Sequence, residues 1–349
     1  MATSHDERPT PAPSTFRERP LLATPIRDLG LQIAGTPLES VIAEFRLELE
    51  EAGIRRLQPH VYLSTEWGVP FGTISIAVPF YLARPELIAV HAERIGHLEG
   101  VGRADLLRYL RHEMGHVVNY AYKLYEQQEW IKLFGSITQP YLENYRPQPF
   151  SRRYVHHLPG WYAQKHPDED WAETFAVWLT PPRLWRAAYA DWPEALAKLQ
   201  YCERTMAALR ERPPDVTATD SDEDVSELNL SLEDYYHSAA VPGGESLPPG
   251  LDAALQAIFQ DFSEPVDAAA RQQSAELVSR LERDLVANVY RWTGHFPEAT
   301  RSLVQHLARR AREMKLTYPA DHEAEVAVAF VTLVTSLAMN YVHRGSYLP

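Results

Sequence analysis

The run Arg111-His112-Glu113-Met114-Gly115-His116 constrains this chain more than any other feature, because histidines four residues apart share a face only if the segment is helical. Leu106, Leu107, Leu110, Met114, Val117 and Ala121 recur around it at helical spacing, which predicts a helix over Ala104 to Glu126 with both imidazoles near a core. Residues four apart are rotated by about 40° and rise about 6 Å, so the two rings can converge on one tetrahedral ion. Glu113, one step from His112, reaches a water on such an ion rather than the ion itself. With 14 histidines in the chain the spacing could arise by chance on a solvated helix. The apolar residues on both sides argue otherwise, since two interior imidazoles without partners are costly.

A catalytic zinc needs a third protein ligand and an open position. The extended pattern in which a glycine and a third histidine follow is broken here by Asn119 and Tyr122. The single cysteine, Cys202, excludes a cysteine-built site and any disulfide within the chain. A later helix offers the best candidate, in His166-Pro167-Asp168-Glu169-Asp170-Trp171-Ala172-Glu173-Thr174-Phe175-Ala176. Glu173 is flanked by Trp171, Ala172, Phe175 and Ala176, where an unpaired carboxylate would be expensive and a metal would stabilise it. Glu169 and Asp170 sit at the helix start, where the dipole favours anions in any case. Asp170, one turn before Glu173, is placed to accept the distal N–H of a ligating histidine, or to cap the helix.

Together the two motifs resemble those of the zinc-binding metallopeptidases of the gluzincin type, over roughly Pro25 to Arg210. The resemblance implies a zincin-like fold and assigns the metal to His112, His116 and Glu173, with Glu113 as general base. It also implies a small sheet over the motif helix, whose edge strand aligns an extended substrate; Gly72 to Val78 is the candidate. The cysteine zinc ribbon that many members carry is absent, and the C-terminal part has no counterpart in that pattern. Tyr154, Tyr162, His156, His157 and His166 precede the third ligand, and Tyr162 and His166 are the favoured donors to a developing oxyanion.

The fold class expected is α+β, mostly helical: a zincin-like domain with a small sheet at 24–211, then an all-α helical bundle at 249–349. Thr36, Pro37 and Glu39 mark the start of a helix near Pro37 to Ala52. Strands are predicted at His60 to Ser64 and Thr73 to Phe80, and helices near Pro85 to Ile95, Asp168 to Leu179 and Pro193 to Glu211. The segment 1–23 reads as a disordered tail without an apolar secretory region, and with one cysteine this suits the cytoplasm. Between Arg212 and Gly250 nine acids against one Arg supply -8 of the net charge of -13, and 212–248 reads as an acidic linker. Beyond Pro249 helices are predicted near Leu251 to Phe262, Pro265 to Arg291, Pro297 to Lys315 and His322 to Val342, the last as the buried centre of the bundle.

An acidic chain of this kind is not built for nucleic acid, and the apolar run Val326 to Val342 falls short of a bilayer span, so neither nucleic acid nor membrane is an expected partner. The expected cofactor is Zn2+ and the expected substrate a peptide or protein. A zinc hydrolase of a non-peptide amide or ester uses the same residues. A non-catalytic module, with structural zinc and a protein partner on the C-terminal bundle, has no use for a carboxylate at Glu113.

Overall fold

The computed structural model describes residues 20–95, 98–141, 145, 147–148, 150–239, 251–260 and 271–348. The expected tail thus lies outside the described residues as far as 19, as do 240–248 at the end of the expected linker, 249–250 after it, and 261–270, where the helices expected at Leu251 to Phe262 and Pro265 to Arg291 end and begin.

Two separate cores organise the chain, one before and one after the segment 240–250. In the first, helix α1 (Pro37–Glu51) buries Leu38, Val41, Ile42, Phe45 and Leu49. Its expected capping box does not form: Glu39 accepts from the N–H of Gly35, one residue before the cap, at 2.8 Å, and the Thr36 hydroxyl and N–H both donate to the Ile33 carbonyl. Strands β1 (His60–Ser64) and β2 (Ser75–Pro79) pair in parallel, from His60 beside Ser75 to Ser64 beside Pro79. Every residue of β2 is buried. After α2 (Pro85–Arg94), the long α3 (Arg103–Ala121) packs against β2, α1 and α5 (Pro167–Leu179), with the short α4 (Gln128–Phe134) between. Arg111 makes a two-pronged bond to Glu48, at 2.8 and 2.6 Å, that ties α3 to α1 in a nearly buried setting. Helix α6 (Pro193–Leu209) backs α5 on its far side.

Much of the acidic stretch is not a free spacer. The Ile74 N–H donates to the Ala218 carbonyl, the Val225 N–H to Leu63, and the Ile26 N–H to Leu230. Val225, Leu232 and Tyr236 enter the first core, the last two on α7 (Leu232–Ala239). The charges face solvent while a minority of apolar residues dock beside β1, so a net-charge count could not see the packing.

The second core joins α8 (Asp252–Gln260), α9 (Ser274–Thr293), α10 (Pro297–Glu313) and α11 (Glu323–Arg344). A short antiparallel pair, β3 (Arg271–Gln273) with β4 (Thr317–Pro319), corrects the all-α expectation for this part. The α11 helix is not the buried centre. It inserts one stripe, Val326, Phe330, Val334, Leu337 and Ala338, and leaves Val328 and Val331 exposed. By length and composition, the stretch Ala320–Arg344 is apolar enough to cross a membrane.

The two units meet at defined contacts. Gly160 and Gly294 press together, a Cβ on Gly294 falling 2.9 Å from the Gly160 Cα. The Arg301 guanidinium donates to the carbonyls of Ala92, Glu93 and Arg94 at the C-terminal end of α2, at 3.1 to 3.4 Å. These otherwise orphaned helix-end carbonyls are natural partners for a cation.

Candidate metal centre

The α3 and α5 helices cross at Gly115 and Ala172, where a Cβ on Gly115 would sit 2.6 Å from the Ala172 Cα. The Trp171 indole N–H donates to the Gly115 carbonyl at 2.8 Å, locking the crossing. Only a glycine permits such an approach, and it brings the first turns of α5 onto the histidine face of α3.

His112 and His116 turn their Nε2 atoms toward each other, 3.3 Å apart. The Glu169 Oε2 completes a triangle, 3.0 Å from His112 Nε2 and 3.3 Å from His116 Nε2. On the far side of each ring a carboxylate takes the Nδ1 proton: Glu173 from His112 at 2.9 Å and Asp168 from His116 at 3.0 Å. Those bonds fix the tautomers and leave both Nε2 atoms as ligand positions. Glu173 also accepts from the backbone N–H groups of His157 and Leu158, at 2.9 to 3.1 Å, and Asp168 from Asn119 and Tyr120. Tyr141 donates to the other Glu169 oxygen, Oε1, at 2.5 Å.

Two imidazole nitrogens about 2.0–2.1 Å from a tetrahedral ion are about 3.3 Å apart, which is the separation found between the two Nε2 atoms. Two nitrogens and one carboxylate oxygen are also a donor set of catalytic zinc. Among the described residues His112, His116 and Glu169 form the group whose ligand atoms lie close enough, within 4.8 Å of one another, to hold a metal ion.

The structure thus brings Glu169, and not the expected Glu173, to the two Nε2 atoms. Residues 169 and 173 are four apart and present both carboxylates to α3, so helical spacing cannot choose between them. The deeper one, fully buried, meets the inner Nδ1 of His112, while the one at the helix start meets the outward Nε2 atoms. Asp170, expected behind a histidine, is rotated off this face and pairs with the buried Lys198 at 2.5 Å, joining α5 to α6. His166 caps α5: its Nδ1 accepts from the Asp168 N–H at 3.2 Å and its Nε2 donates to the Gln139 carbonyl at 3.1 Å. With both nitrogens so used, an oxyanion-donor role for His166 is set aside.

Tyr162, in a 3₁₀ turn at Tyr162–Gln164, does reach the site, its ring 5.6 Å from that of His112 and its hydroxyl 3.3 Å from that of Tyr141. Of the other tyrosine and histidines before α5, His157 bonds the Arg108 carbonyl, His156 packs on Trp192 and Tyr154 lies against Lys198.

Charge and burial are balanced across the centre. Burial pulls His112 down, but the bonds to Glu169 and Glu173 outweigh it and hold the ring up at about 9 in the metal-free protein. His116 is raised further, burial being overcome by Asp168 and Glu169, and Glu169 is held well below the ordinary carboxylate range by His116 and His112 against its burial. Glu113 stands apart: burial pushes it up to about 7, against the pull of the two histidines, and it makes no hydrogen bond among the described residues. Burial and Glu169 raise the Tyr162 phenol, so it keeps its proton.

Two cavities, of about 420 and 400 Å³, open on either side of Glu113 and share Trp67, His112, Glu113 and Tyr162 as lining. Their common wall is not β2. The outer flank of β2 is taken by Gly68, whose carbonyl accepts from Ala77 at 2.8 Å, and it is Trp67, Gly68 and Val69 that face the second cavity. The expectation that Gly72 to Val78 forms the substrate edge is corrected accordingly: the chain doubles back and covers that strand.

Fold and site thus define a mostly helical α+β protein with a buried two-histidine, one-glutamate cluster of metal-binding geometry beneath a cleft. Residues 91–198 match the family described as "Putative zinc-binding metallo-peptidase", and this match covers both motif helices. For the segment that carries the motifs, the match agrees with the resemblance at the level of a zinc-binding metallopeptidase family. No curated protein and no solved structure matches the chain.

Proposed function

We propose that the chain is a zinc-dependent peptidase that binds the metal through His112 Nε2, His116 Nε2 and Glu169 Oε2. When bound, zinc supplies a Lewis acid that lowers the pKa of water to about 7 and polarises a carbonyl. Glu113, its carboxyl beside the cluster, would accept a proton from the attacking water and return it to the nitrogen of the leaving amine. Tyr162, beside His112 in the wall of both cavities, donates its O–H to the developing oxyanion. Trp67 to Val69 run alongside and align the backbone of an extended peptide, the role first expected of Gly72 to Val78.

One observation carries this reading: a buried carboxyl, without a hydrogen-bond partner among the described residues, lines two cavities directly beside a cluster whose spacing suits a metal. A purely structural zinc would leave Glu113 without a purpose. Openings on both sides of it suit a chain that enters and leaves the cleft rather than a small amide.

The test is digestion of a peptide library by the full-length protein loaded with zinc, read by mass spectrometry, beside Glu113→Gln. Wild type is expected to cut internal bonds and to stop in chelator, while Glu113→Gln keeps its zinc and cuts nothing. Equal cleavage by both proteins, or none by a zinc-loaded wild type, would overturn the proposal.

A further inference from the structure

Helix α11 turns a second apolar face away from its own core. Val328 is 67% and Val331 37% exposed, and Thr335, Met339 and Val342 continue that face as half-buried residues. The steps from Val328 to Val342 are three, four, four and three residues. At about 100° per residue the five side chains fall within a stripe about 80° wide and about 21 Å long. The stripe therefore reads the same in both directions about Thr335. From Val326 to Val342 no residue is charged. The Thr332 and Thr335 hydroxyls donate back to the Val328 and Val331 carbonyls, each at 2.8 Å, so covering this face leaves neither hydroxyl unmet.

The two ends of the helix carry opposite charge. Glu323 and Glu325 stand in its first turn, after Asp321, and His343 and Arg344 in its last. Glu323 is engaged with Arg280 and Tyr318 of its own unit. Glu325 meets His322 at 2.9 Å with its side chain 74% exposed, and a carboxylate has lone pairs for a second cation. Two antiparallel copies of this helix, related by a twofold axis at Thr335, place Val328 opposite Val342 and Val331 opposite Met339. Glu325 and His343 both project about 80° to one side of the stripe, so the same register sets Glu325 of one copy beside His343 of the other. Antiparallel packing also brings opposite helix-dipole ends together.

We propose that the outward face of α11 is a self-association surface through which two copies of the chain pair, antiparallel about Thr335. Val342 also borders a cavity lined by Tyr145 and Pro147 of the first unit, so the start of the partner's helix comes to rest near that unit as well. A bilayer is the other apolar surface such a face could meet, but the helix starts with acids rather than lysine or arginine, and a net charge of -13 repels anionic headgroups. One helix pair lies at the small end of specific interfaces, so the dimer forms at micromolar concentrations. The surface contains none of the residues that line the metal centre or its two cavities.

The experiment is sedimentation velocity on the full-length protein from about 1 to about 100 µM, the range in which a micromolar dimer assembles. A shift from monomer to dimer is expected across it. Val328→Glu and Val331→Glu should each weaken the dimer at least tenfold while leaving the thermal midpoint of the dilute monomer unchanged. Glu325→Lys should weaken it several-fold, and adding His343→Glu should restore it to within about threefold of wild type. Thr335→Cys, at the twofold axis, should oxidise to a covalent dimer, the native Cys202 being buried. A protein that stays monomeric throughout, a dimer that survives both glutamate variants, a charge swap without rescue, or a Thr335→Cys protein that does not cross-link would overturn the proposal. So would a monomer that floats with neutral phosphatidylcholine vesicles, an outcome that gives the face to a membrane.

Discussion

Gly115→Ala is a one-methyl change whose outcome the helix crossing decides. On an isolated helix the substitution gains about 1 kcal/mol. Here the new Cβ would meet the Ala172 Cα at 2.6 Å and the Ala172 carbonyl oxygen at 3.0 Å, backbone atoms that cannot rotate aside. Relief to an ordinary contact of about 3.4 Å or more requires α3 and α5 to part by roughly 0.8 Å. The Trp171 bond to Gly115, now 2.8 Å, lengthens with them. Overpacking of this kind costs about 1–3 kcal/mol, so the strain outweighs the propensity gain, and at roughly 2–4 °C per kcal/mol the thermal midpoint falls by several degrees. The same parting widens the 3.0 to 3.3 Å triangle of His112, His116 and Glu169. Metal sites tolerate only about ±0.2 Å, so zinc affinity drops by about ten- to a hundredfold, the scale seen when supporting groups are lost. Differential scanning fluorimetry with and without zinc, together with competition against a chromophoric chelator, reads both effects. A Gly115→Ala protein that melts higher and holds zinc as tightly as wild type would refute the crossing argument.

Other perturbations separate roles within and beyond the centre. Glu169→Gln should cost more than a hundredfold in zinc affinity, roughly one ligand's share of the ~10–16 kcal/mol of a zinc site, whereas Glu173→Gln, behind His112, should cost only about ten- to a hundredfold; chelator competition showing the opposite order would restore Glu173 as the ligand. In the second unit, burial holds His295 down at about 4, between Thr300 and Tyr347. The unfolded ring titrates near 6.5, so between about pH 6.5 and 4 the unfolded chain binds the extra proton and stability falls on acidification, by up to about 3 kcal/mol. Urea unfolding across that range should show this loss, and His295→Gln should flatten it; an unchanged slope in the variant would assign the acid sensitivity elsewhere.

The frame of the site was legible because it rests on local pattern. The α3 helix announced itself through apolar spacing around the histidines, and α5 through Pro167 at its start and the run from Trp171 to Leu179. Strands β1 and β2 were readable from β-branched residues and a bounding proline. What escaped depended on rotation and distance. Burial of neighbours pointed to Glu173, yet a metal site needs a face open to the cleft, and the outward-facing Glu169 has it. Tyr141 joins the site from a loop 28 residues before Glu169, with no periodicity to mark it. The acidic segment packs through Val225, Leu232 and Tyr236 while its charges remain outside. Gly115 carried a readable hint, a glycine in mid-helix, but its meaning required the partner helix.

The most direct test of the central claim is zinc K-edge X-ray absorption on the purified, zinc-loaded full-length protein. One zinc per chain, with two imidazole nitrogens and carboxylate or water oxygens at about 2.0–2.1 Å and no sulfur, is the result expected. A sulfur shell, a single imidazole, or no bound zinc would contradict a centre formed by His112, His116 and Glu169.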